Sequence, residues 1–102
     1  MKTTVLAAIF AAGALTVASA ATAMPLTGAQ LSAHARVTLK QARAKALGRE
    51  HGRIVAQELE REGGGSGLRY SFDVKVGNVV HEVGIDAVTG AVVEDSIDSG
   101  ND

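Results

Sequence analysis

Three histidines, one pair of carboxylates and a run of basic residues are the groups in this sequence with chemistry to offer. The histidines stand at His34, His51 and His81, and none has a partner at the i,i+4 spacing that places two metal ligands on one helix face. Asp73 and Glu82 come opposite one another when their strands pair. Two carboxylates fall short of the roughly six to eight oxygens that calcium takes, so they read as an exposed like-charge pair. Residues 62–67, Glu-Gly-Gly-Gly-Ser-Gly, resemble a phosphate cradle only superficially. Such a loop needs a helix N-terminus directly after it, and here a strand follows. Lys40, Arg43, Lys45, Arg49 and Arg53 spread around a helical wheel, which marks a solvated face rather than an anion site. No serine lies in a nucleophile-elbow pattern. The sequence therefore assigns no catalytic residue, no cofactor-binding residue and no metal ligand, and the protein reads as a non-enzyme that needs no cofactor.

The segment that positions these groups is residues 68–93. Leu68-Arg69-Tyr70-Ser71-Phe72-Asp73-Val74-Lys75-Val76 alternates apolar and polar residues, the period-2 mark of a half-buried strand. Gly77-Asn78 is a two-residue hairpin turn, because such turns need residues that tolerate positive φ. Its length fixes the register. Val76 pairs with Val79, Val74 with His81, Phe72 with Val83 and Tyr70 with Ile85, which puts the large apolar groups on one face. Parity gives His81 a packing role beside Val74. On the other face Arg69 meets Asp86 and Asp73 meets Glu82. In Asp86-Ala87-Val88-Thr89-Gly90 the aspartate accepts backbone N–H bonds along a turn, and Gly90 supplies its left-handed residue. Residues 91–93 form a short last strand, and the acids that follow, with no base among them, form a solvated tail.

Ahead of the hairpin, Thr38 and Gln41 form a capping box, with Val37 and Ala42 at the staple positions. Leu39, Ala42, Ala46 and Leu47 give a thin apolar stripe of small residues, so a helix runs from 39 to about 50 with Gly52 as its terminator. Thr27 and Gln30 have the same capping spacing and mark a short helix through Leu31 to Ala35. Residues 53–61 read as an edge strand anchored by Ile54, Val55 and Leu59, with Ala56 and Gln57 blurring the alternation. The fold expected is α+β: one main helix, with a short one before it, on a four-stranded antiparallel meander. If the meander keeps chain order, residues 53–61 lie at an edge where an extended peptide could add as a further strand.

Of the 102 residues, the first 23 read as an address. Lys2 precedes an apolar run from Val5 to Val17, and Ala18-Ser19-Ala20 and Ala21-Thr22-Ala23 are cleavage patterns. The expected product of cleavage after Ala23, or alternatively Ala20, is periplasmic or secreted, with no stable membrane insertion. Residues 24–36 are then a linker or short helix, 37–95 the domain and 96–102 an acidic tail. Without cysteine no disulfide can staple the domain, so its stability rests on packing alone. Losing Lys2 moves the formal charge from 10 − 11 = −1 to 9 − 11 = −2, which argues against nucleic acid as a partner.

Val37-Thr38-Leu39-Lys40-Gln41-Ala42, Gly52-Arg53-Ile54-Val55, Glu58-Leu59-Glu60-Arg61-Glu62, Tyr70-Ser71-Phe72-Asp73-Val74 and His81-Glu82-Val83-Gly84-Ile85-Asp86-Ala87-Val88-Thr89-Gly90 together resemble the PepSY domain. The resemblance spans residues 37–94 and is strongest at Asp-Ala-x-Thr-Gly before a small apolar strand. It implies a helix on an antiparallel sheet, no catalytic residues, and a protein partner. That partner is an exported peptidase, inhibited or escorted in trans, since no peptidase domain follows in this sequence. An envelope sensor or adaptor acting on a membrane signalling or metal-handling system is the alternative. His81 departs from the pattern, which commonly has an aromatic there.

Overall fold

The computed structural model describes residues 24–99; the expected signal segment and residues 100–102 lie outside the described residues. A 3₁₀ helix (Ala29–His34) and helix α1 (Leu39–Arg49) precede strands β1 (Arg53–Arg61), β2 (Leu68–Val76), β3 (Val79–Asp86) and β4 (Val92–Ile97). The sheet order is β1-β2-β3-β4, antiparallel throughout. This is the α+β meander that the sequence predicts.

Hairpin register follows the turn: Val76 pairs with Val79, Val74 with His81, Phe72 with Val83 and Tyr70 with Ile85. Tyr70, Phe72, Val74, Val83 and Ile85 are all buried and form the core with Ala42 and Ala46 of α1. Alanines on the inner stripe let the helix lie close to the sheet, so burial of the aromatic and branched residues supplies the driving force. The Tyr70 and Phe72 rings stack at 6.2 Å, and the Tyr70 hydroxyl donates to the Val37 carbonyl at 2.7 Å, fixing the entry to α1. That entry carries the expected capping box between Thr38 and Gln41.

The structure corrects four expectations. α1 ends at Arg49 with Glu50 extended at its C-cap, so Gly52 is not a left-handed terminator. A Cβ on Gly52 would run into the Lys75 carbonyl; glycine is needed there for close approach to β2. In β1 a bulge between Ile54 and Ala56 resets the alternation. Val55 turns out to solvent and Gln57 turns inward, 6% exposed, where its side chain meets Arg43 of α1 and the Met24 and Pro25 carbonyls. Gly28, not Thr27, caps the 3₁₀ helix, without a side-chain bond, because Thr27 is bridged to β1. Finally, β4 runs to Ile97, so residues 94–97 are strand rather than the start of a tail. Glu94 and Asp95 are held there by Arg69 and Arg49.

Candidate functional site

Three polar features stand out on this frame, and they differ in what they can do. The first is internal. Asp86 at the end of β3 is 1% exposed. It accepts the Ser66 N–H at 2.6 Å and the Val88 and Thr89 N–H groups at 2.8 and 2.9 Å. Burial alone would raise its pKa, but the backbone donors of Ser66, Thr89 and Val88, with the Ser66 hydroxyl, hold the carboxyl well below the usual range. The glycine-rich loop is thus wrapped around a buried carboxylate. At Gly65, φ is 57° and a Cβ would strike the Asp86 carboxylate, so glycine is required twice over. The expected Arg69–Asp86 pair is opposite in register but not an ion pair. Arg69 turns to Glu94 at 3.0 Å and to the Gly63 carbonyl, because Asp86 is already satisfied by backbone.

The second feature is the sheet face turned away from α1. Among the described residues no helix covers it. Glu58, Ser71, Asp73, Glu82, Thr27 and Asp98 border a shallow groove of about 310 Å³. Asp73 and Glu82 are paired across β2 and β3, as the register requires. Burial, then repulsion from neighbouring carboxylates, raises the pKa of Glu58, Asp73 and Glu82. Glu60, Glu94 and Asp98 are among those neighbours. A half-buried surface on which carboxylates press against carboxylates is prepared for positive charge from outside.

The third feature was not legible in the sequence. Where α1 ends over the sheet, Glu50 and Asp95 flank His81. The imidazole Nδ1 lies 3.6 Å from Glu50 Oε2 and 3.8 Å from Asp95 Oδ1. His81 pairs with Val74 as the register requires, and at the rim of the core it also faces these two carboxylates. The Arg49 guanidinium, hydrogen-bonded to Asp95 at 2.7 Å, lowers the Asp95 pKa despite burial. His34 and His51 are exposed and stand outside this group. The basic residues of α1 are mostly exposed, with Arg43 and Arg49 drawn into the contacts already described.

The β1 edge is partly occupied. Thr27 donates to the Gln57 carbonyl at 3.3 Å and accepts from the Leu59 N–H at 2.8 Å, a parallel bridge that blocks an incoming strand at the middle of β1. Peptide addition at that edge would have to displace the chain's own N-terminal segment. No helix among the described residues is long and apolar enough to cross a membrane.

A family model described as "Peptidase propeptide and YPEB domain" matches residues 36–95. The chain belongs to the PepSY family. No curated protein and no solved structure matches it significantly. The match takes in α1 and β1 to β3 and runs into β4, so Asp86, the acidic residues Glu58, Asp73 and Glu82 and the Glu50–His81–Asp95 group fall inside the PepSY domain. Thr27 and Asp98 at the border of the groove lie outside the match. Membership supports a general peptidase-propeptide or binding role.

Proposed function

We propose that this PepSY protein is a non-catalytic binding module that restrains or escorts an exported peptidase in trans. It meets that partner with the open acidic face of its sheet. The observation that carries the reading is the cluster of Glu58, Asp73 and Glu82 around one groove. Burial first and neighbouring carboxylates second raise their pKa values, and among the described residues no salt bridge reaches any of the three. A cationic surface laid on this groove relieves that repulsion, and the relief is interaction energy gained only in the complex. The pocket is too shallow and polar to enclose a small molecule, which favours a macromolecular partner. The module works where exported peptidases work, in the periplasm or outside the cell, after cleavage following Ala23 or Ala20. An intact mass that still includes residues 1–20 overturns that placement. The sensor or adaptor alternative acts on a membrane signalling or metal-handling system, and recovery of such a protein in place of a peptidase as the bound partner separates the two.

The functional test is peptidase activity in the exported protein fraction, with and without the purified protein. Substrate gels should show at least one peptidase activity lost or protected on addition. The Glu58→Gln/Asp73→Asn/Glu82→Gln variant should have a weaker effect. If no exported peptidase changes in activity or lifetime, the reading is wrong.

A further inference from the structure

We propose that Glu50, His81 and Asp95 form a binding site for a borderline divalent transition ion, with Zn²⁺ the best fit. The three side chains each present one ligand atom, and these atoms lie within 4.8 Å of one another. Two of the separations are tighter: 3.6 Å from His81 Nδ1 to Glu50 Oε2 and 3.8 Å to Asp95 Oδ1. A tetrahedral ion with bonds of about 2.0–2.1 Å sets its ligand atoms ~3.3 Å apart. The two separations from His81 need to close by only about 0.3–0.5 Å, and the Glu50–Asp95 separation, within 4.8 Å, by at most about 1.5 Å, to set three ligand atoms around the ion.

The supports are rigid. Glu50 is the C-cap of α1, His81 lies in β3 and Asp95 in β4, so the site would staple the helix end to two strands. Asp95 is oriented for the purpose. Arg49 Nε holds its Oδ2 at 2.7 Å, which leaves Oδ1 turned toward His81. A hydrogen bond that fixes one oxygen of a ligating carboxylate is the usual outer support of a metal ligand. The donor set selects the ion. An imidazole nitrogen with two carboxylate oxygens suits zinc and its neighbours, whereas calcium takes about six to eight oxygens. The chain has no cysteine to favour a softer ion. Three protein ligands leave a fourth position for water or for a group from a partner. Arg49 cancels one of the two carboxylate charges, so the affinity should fall well below that of a structural four-ligand zinc site. The site lies at the helix end of the molecule and is independent of the acidic groove.

The test is titration of the chelator-treated full chain with Zn²⁺ alone, by calorimetry at neutral pH. One ion per chain should bind at micromolar concentration, and His81→Gln should weaken binding at least about tenfold. Glu50→Gln and Asp95→Asn should each weaken it, and a His34→Gln/His51→Gln control should leave it unchanged. On the unaltered chain, amide resonances of Glu50, His81 and Asp95 should shift together with zinc, which reads the site without any substitution. Absence of saturable binding below millimolar zinc would leave the group an ion network only and overturn the proposal. So would unchanged affinity in His81→Gln, or zinc shifts centred on His34 or His51.

Discussion

Asp86→Asn is the substitution that most severely tests how this domain is held together. The carboxylate satisfies three buried or half-buried N–H groups from two loops, through Oδ2 to Ser66 and Oδ1 to Val88 and Thr89. Asparagine has one oxygen. If it keeps Val88 and Thr89, its NH₂ group faces the Ser66 N–H, donor against donor. A buried donor left unpaired costs about 1–3 kcal/mol, and turning the two remaining bonds from charged to neutral costs about 1 kcal/mol each. The sum is about 3–5 kcal/mol, against a total of about 5–15 kcal/mol for an ordinary domain. At about 4–8 °C per kcal/mol for a domain of this size, Tm should fall by more than about 12 °C. Urea denaturation followed by far-UV circular dichroism measures the loss at neutral pH, provided the m-value is unchanged. The pH dependence supplies an independent check. The folded pKa of Asp86 lies below its unfolded value. Its stabilisation is therefore complete above the ordinary carboxylate pKa of about 3.9 and is lost as pH falls through the lower folded pKa. The Asn variant should lack that part of the acid limb. A loss under about 0.5 kcal/mol, a typical surface effect, would refute the assignment of Asp86 as the tie between the two loops.

Phe72→Ala should cost about 3–5 kcal/mol, since the ring is fully buried and stacks on Tyr70; a urea midpoint close to the parent's would show that the core face is misassigned. Asp73→Asn or Glu82→Gln should stabilise the protein at neutral pH by about 0.2–1 kcal/mol, the scale of a cross-strand pair. Both groups have raised folded pKa values, so the ionised forms oppose folding. The gain should disappear in acid below the unfolded pKa and grow as pH rises through the folded one. Destabilisation at neutral pH would mean that the two carboxylates make favourable contacts instead.

How much of this was legible in the sequence depended on whether the cause was local. The hairpin was, because a two-residue turn fixes the pairing of every residue from Arg69 to Asp86. The start of α1 was, because Thr38 and Gln41 are three residues apart and form their own box. Asp86 was half legible. Its turn partners Val88 and Thr89 are neighbours, but Ser66 arrives from another loop and pre-empts the ion pair that register suggested with Arg69. The bulge at β1 carries no local signal beyond a blurred alternation, yet it decides that Gln57 is inside and Val55 outside. β4 looked like tail because Glu94 and Asp95 are acids. Their partners, Arg69 and Arg49, lie far away in sequence. The Glu50–His81–Asp95 group escaped for the same reason, since its members come from a helix end and two strands, and spacing along the chain says nothing of where that helix crosses the sheet.

The central claim is that the open acidic face is the surface that meets the peptidase. Hydrogen–deuterium exchange of the protein alone and in complex with the peptidase recovered from the exported fraction tests it most directly. Protection should concentrate on β2 and β3 around Ser71, Asp73 and Glu82 and on β1 around Glu58, and it should weaken with added salt. Protection confined to α1 or to the outer edge of β4, with those residues unchanged, would contradict it.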